Sequence, residues 1–184
     1  MTTILSTFDT NPIDADILEV LQEFMRLFKV ARQSVSQTDS ERTQFNNRYE
    51  DQLRRCDGFR DVFALVQRCV REYMNQERSD VVLQLIDLPL HIGAAHPVGT
   101  NRIVMNKALL DLAVRNRSLL EVQALVFSIL LHEYIHSLGY LNEYDTRELV
   151  FLVSRNAFGS NHIVTHLAKY GPWHIFRRNQ AMRI

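Results

Sequence analysis

Two histidines stand four residues apart, His132 and His136, with Glu133 directly after the first, an H-E-x-x-H pattern. On an α-helix, residues i and i+4 lie one above the other, so both imidazoles can reach one metal ion while the glutamate reaches a water beside it. A chance match in a chain of this length and composition is expected on the order of 0.01 times, so the pattern predicts a metal site. The plain alternative, two core histidines bonded to carbonyls, would put two imidazoles and a carboxylate on an otherwise apolar helix at a desolvation cost that a metal offsets. A catalytic zinc takes three protein ligands and keeps a fourth position for water, so a third donor is needed. His162, opening a short helix after Gly159-Ser160-Asn161, ranks first. Glu143, just past the turn at Gly139, ranks second, and His166, one turn beyond His162, third; Glu148 and His174 are further candidates. Each has a structural alternative: Glu143 as a first-turn helix carboxylate behind Asn142, the histidines as capping or solvated side chains. His91 and His96 could bond an oxyanion or leaving group, although loop histidines are more often solvated. Tyr140 and Tyr144 could donate phenol protons to an oxyanion or simply pack where two helices meet.

The motif needs a helix to present it. Ser118 and Glu121 form an S-x-x-E capping box, and twenty residues from Leu119 to Leu138 would run about 30 Å before Gly139 stops them. From Val122 to Leu131 the segment is apolar nearly all round, which predicts a buried helix. Ahead of it, Val81 to Ile86 reads as a strand, the stretch carrying His91, Gly93, His96, Pro97 and Gly99 as a loop, and Arg102 to Met105 as a second strand. Asn106 then caps a helix to about Arg115. Beyond the motif, Asn142 caps a helix to about Ala157. The first 79 residues read as three helices. Pro12 opens one to about Gln33 with a stripe of Ile17, Val20, Leu21, Phe24, Leu27 and Phe28. A second spans about Ser40 to Arg55 with Phe45, Tyr49 and Leu53. A third, after Gly58, reaches about Gln76 with Phe63, Val66, Val70 and Tyr73 inward.

On the motif His132-Glu133-x-x-His136-x-x-Gly139 the sequence resembles the zincin metallopeptidases, sharing the first eight positions of the metzincin signature; Asn142 occupies that signature's third-ligand position. The stretch His-Glu-Tyr-Ile-His-Ser-Leu-Gly-Tyr-Leu followed by Asn-Glu is also similar to small uncharacterised archaeal zincin-like proteins. The resemblance implies that Arg102 to Met105 is an edge strand pairing with an extended substrate and that Glu133 is the general base. The expected fold is α+β and mostly helical: a zincin-like half with a small sheet and a buried H-E-x-x-H helix over residues 80–184, preceded by an N-terminal helical region, 1–79, packed on it. The expected function is zinc-dependent hydrolysis of peptide bonds in a peptide or protein substrate, with Zn²⁺ on His132, His136 and a third ligand, and Glu133 taking a proton from the zinc-bound water. Two rivals are a non-catalytic, zinc-stabilised interaction module with a closed four-ligand site, and a deformylase-like amidase, which would require a cysteine ligand.

Composition narrows the remaining classes. The chain has 184 residues, 46% hydrophobic and 23% charged, enough for one core. Twenty-one basic residues balance twenty-one acidic ones, and the pI near 7.1 gives no bulk positive field, so no nucleic-acid partner is indicated. A basic C-terminal stretch from Arg147 to Arg183 reads first as a solvated face. The longest apolar run, Ala124 to Leu131, is short of the ~18–20 residues of a membrane span, and Met1 to Thr10 lacks a secretory-signal pattern. Cys56 and Cys69 do not form a C-x-x-C and read as small core hydrophobes, consistent with a cytosolic expectation.

Overall fold

The computed structural model describes residues 48–177. The helix expected over Asn11 to Gln33, and the start of the second one with Phe45, lie outside the described residues.

Helices α1 (Arg48–Arg54) and α2 (Phe59–Met74) carry the expected inner faces: Tyr49, Leu53, Phe63, Val66 and Val70 are all buried. Helix α2 ends at Asn75, whose φ of 53° lies in the left-handed region that asparagine tolerates. Strand β1 (Val82–Ile86) is parallel to β3 (Arg102–Asn106), and a two-residue strand, β2 (Ala94–Ala95), runs antiparallel to β3 on its other side. The sheet order β1-β3-β2 corrects the expected layout: Arg102 to Met105 belongs to the central strand, and the edge strand lies inside the stretch that reads as loop. Ile103 and Met105 point into the core from β3, which fits a central position.

Helices α3 (Lys107–Asn116), α4 (Leu119–Ser137), α5 (Glu143–Phe158), α6 (Ile163–Tyr170) and the single turn α7 (His174–Arg177) complete the chain. The whole is α+β and mostly helical, around a three-stranded sheet. Helix α4 is its axis, packed against all five of α1, α2, α3, α5 and α6 and against β2 and β3. Its capping box forms as the sequence predicts: the Ser118 side chain accepts from the Glu121 N–H at 3.4 Å while the Glu121 carboxylate accepts from the Ser118 N–H at 3.0 Å. Every residue from Val122 to Leu131 is buried. By length and composition α4 could cross a membrane, but it is a core helix, 72% of its most apolar window enclosed by the rest of the protein. Gly139, at φ 102°, ends it in a conformation that costs a side-chain-bearing residue about 1 kcal/mol or more.

Two polar anchors set the sheet against this helix. The buried Tyr134 hydroxyl donates to the Arg78 carbonyl at 3.0 Å and accepts from its N–H at 2.7 Å, while the Arg78 guanidinium reaches the Ser137 carbonyl at 2.8 Å. This clamps the chain just before β1. The fully buried Asn106 caps α3 by accepting from the Ala108 N–H, and its amide donates to the carbonyls of Leu88, Pro89 and Ile92. One side chain thus starts a helix and gathers the loop that carries β2 across α4.

Candidate metal centre

Helix α4 turns one rim, near its C-terminal end, toward solvent. His132 and His136 occupy that rim one turn apart, half-buried, with their Nε2 atoms 3.1 Å from each other. After Gly139 the chain reverses, Asn142 accepts from the Tyr144 and Asp145 N–H groups, and α5 begins with Glu143 in its first turn. That turn brings Glu143 Oε2 to 3.4 Å from His132 Nε2 and 3.3 Å from His136 Nε2. The three donors form a triangle with edges of 3.1–3.4 Å. A tetrahedral ion with bonds of about 2.0–2.1 Å has ligand–ligand edges of about 3.3 Å, so the triangle has the size of one tetrahedral face. Among the described residues this is the group of three such side chains placed to hold a metal.

Two of the three donors, His136 and Glu143, are aimed by a second contact. His136 Nδ1 lies 2.7 Å from the Tyr140 carbonyl, so it carries the proton and leaves Nε2 with a free lone pair; the Thr146 hydroxyl donates to the same carbonyl at 3.0 Å. Arg147 Nε donates to Glu143 Oε1 at 2.8 Å, leaving Oε2 for the histidines. Burial holds the His132 imidazole below its ordinary pKa, only partly offset by Glu143. Burial pulls the Glu143 carboxyl upward, but His132 and the Arg147 hydrogen bond outweigh it and keep the group below the usual carboxylate range. Both shifts favour the metal-ready forms, neutral imidazole and ionised carboxylate.

Glu133 lies beside the triangle and is not part of it. It is 8% exposed. Burial pushes its pKa up to about 7, against the opposing pull of His136 and of a hydrogen bond from the His96 backbone. A carboxyl whose folded pKa is raised costs nothing below its ordinary 4.5 and costs stability as pH rises through 7. In metal-free protein, Glu133→Gln is therefore expected to be more stable than the parent at pH 8 by about 2–3 kcal/mol relative to their difference at pH 4. Urea unfolding at the two pH values reads this, and a gap independent of pH would refute the burial argument.

The Gly93 carbonyl accepts from the Asn106 N–H at 3.0 Å and Ala95 faces Val104. Antiparallel strands alternate their amide directions, so Ala94 and His96 turn theirs to the open edge, where the His96 N–H meets Glu133. Two clefts meet here. One, of about 380 Å³, runs past His96, Val98 and Leu141; the other, of about 550 Å³, runs past Ile129 and Trp173; both are lined by Ala94, His132, Glu133 and Glu143.

The other sequence candidates are placed elsewhere. His162, ranked first as third ligand, lies outside the triangle: its Nδ1 accepts from the Val164 N–H as the N-cap of α6, its ring stacks on Phe158, and its buried Nε2 is 3.8 Å from Glu50. His166 packs edge-on against Tyr170, and His174 lies against the same ring; Glu148 is exposed on α5. The His96 imidazole is tied to the Arg102 carbonyl at 2.8 Å, and the exposed His91 lines the larger cleft. The Tyr140 phenol takes a hydrogen bond from Gln76, so its contribution is its carbonyl, and Tyr144 is 72% exposed. Cys56 and Cys69 are buried, and burial pushes Cys56 up to about 12 and Cys69 higher, the opposite of what a thiolate ligand needs. Sequence reasoning missed the edge strand and the roles of Thr146, Arg147 and the Tyr140 carbonyl. The Asn142 cap was the available signal, since it fixes Glu143, Thr146 and Arg147 on the first turns of α5.

Fold and site together define an α+β protein with a His-His-Glu donor set at the end of its central helix. Comparison with protein-family models, curated proteins and solved structures finds no match to this chain.

Proposed function

We propose that this chain is a zinc-dependent peptidase that holds the metal on His132, His136 and Glu143 and uses Glu133 as general base. The observation that carries the reading is the donor triangle of tetrahedral dimensions with a buried, non-ligating carboxyl beside it on the same helix. Two histidines and a glutamate suit zinc, and three donors among the described residues, rather than four, favour an open site over a closed structural one. A cation held there supplies Lewis acidity, polarising a carbonyl oxygen and acidifying water. The chain's own residues do the rest. Glu133, nearly enclosed beside the donor triangle, takes the proton of the attacking water and passes it to the leaving amine. Ala94, with its amide groups on the open edge, pairs with an extended peptide and lays it along the two clefts. Arg147, Thr146 and the Tyr140 carbonyl hold the donors in register.

The test is cleavage of a peptide mixture by the zinc-loaded chain, read by mass spectrometry. Products are expected to disappear with a chelator and to return with zinc; a zinc-loaded chain that cleaves nothing in a broad mixture would sink the reading.

A further inference from the structure

The two clefts differ in charge. The larger has a floor of Ile129, Val150, Leu167 and Trp173, and at its rim stand two cations on different helices, Arg147 of α5 and Lys169 of α6. Among the described residues its only carboxylates, Glu133 and Glu143, are already used: Glu143 faces the histidines and Arg147, and Glu133 takes the His96 backbone hydrogen bond. The cations keep spare capacity. Arg147 spends Nε on Glu143, and among the described residues its two Nη groups meet no other acceptor. Lys169 Nζ sits 5.1 Å from the centre of the Tyr170 ring, which also lines the cleft, and no carboxylate among the described residues pairs with it. The smaller cleft, by contrast, is lined by neither an arginine nor a lysine among the described residues.

We propose that the larger cleft binds a substrate carboxylate between Arg147 and Lys169, with the neighbouring apolar side chain of the substrate on the floor beneath. This rests on the peptidase reading and adds to it the substrate class: peptides bearing an acidic group on one side of the cut. Arg147 offers a planar fork that matches a carboxylate, and Lys169 supplies a second charge on the lining of the same cleft. The distance from the donor triangle is short, because Arg147 itself touches Glu143. The carboxylate can come from an internal Asp or Glu side chain or from the free C-terminus of the peptide, and the experiment separates these.

Binding is measured by calorimetry on the full chain, zinc-loaded and carrying Glu133→Gln so that nothing is cleaved. Three probes are used: a neutral hexapeptide blocked at both ends, the same peptide with one glutamate scanned through its positions, and the neutral sequence with a free C-terminal carboxylate. One of the two acidic probes is expected to bind at least about tenfold tighter than the neutral one, with the preference shrinking at high salt. Lys169→Met is expected to bring the ratio of acidic to neutral affinity most of the way to one, with zinc stoichiometry retained as the sign of an intact site. A preference confined to the free-carboxylate probe assigns the cleft to a chain end, and one confined to a scanned glutamate assigns it to a side chain. Equal binding of all three probes overturns the proposal and leaves the peptidase reading standing. Failure of every probe to bind, together with failure to cleave the peptide mixture, overturns both.

Discussion

Glu133→Gln is expected to keep its zinc and to lose peptide cleavage by a factor of about 10²–10⁴, the usual span for removing a positioned general base. The substitution keeps shape and hydrogen-bonding reach and removes only the ability to accept a proton. Metal retention follows from geometry, because the triangle is made by His132, His136 and Glu143 and does not use Glu133. The loss follows from position: Glu133 is the carboxyl inside the motif itself, nearly enclosed, and it lines both clefts. Full activity in Glu133→Gln would show that the proton goes elsewhere and that the mechanism is wrong.

Glu143→Ala is expected to weaken zinc binding by at least about 100-fold, since losing an outer-shell partner alone commonly costs 10–100-fold and Glu143 is a direct donor. Competition against a chromophoric chelator measures it. The informative companion is His162→Asn, which preserves an N-cap acceptor for the Val164 N–H and removes the imidazole. It is expected to leave zinc affinity unchanged. Release of zinc by His162→Asn with retention in Glu143→Ala would reverse the assignment of the third ligand.

The contrast between these two residues shows what local pattern can and cannot tell. Helix α4 is legible from its ends, Ser118 with Glu121 and then Gly139, and from an apolar run without a polar face; all three signals are local and all three act in the structure. Asn106 and Asn142 are legible as caps for the same reason. The edge strand is not, because Ala94–Ala95 carries neither β-branching nor alternation, and it exists only because Asn106 gathers the preceding loop and β3 offers it a partner. The order of the strands is likewise a property of packing, which is why Arg102 to Met105 reads equally well at an edge or at the centre. For which side chain comes to lie beside His132 and His136, proximity along the chain carries more information than residue type. The reversal at Gly139 is too short to take Glu143 far from His136, whereas His162 follows the full length of α5 and spends its nitrogen on starting α6.

The donors differ in what holds them. His132 and His136 project from a helix whose other faces are packed in the core, so the spacing of their backbone positions is held by the core. Glu143 stands on the more exposed first turn of α5, held there by the Asn142 cap, the Arg147 contact and the hydrogen bond from Thr146 to the Tyr140 carbonyl. The centre is therefore a fixed jaw of two imidazoles and one hinged carboxylate. On the proposed zinc reading, an ion is expected to enter and leave by way of the carboxylate, with the lifetime of the loaded state set by the first turn of α5 more than by the helix that carries the motif.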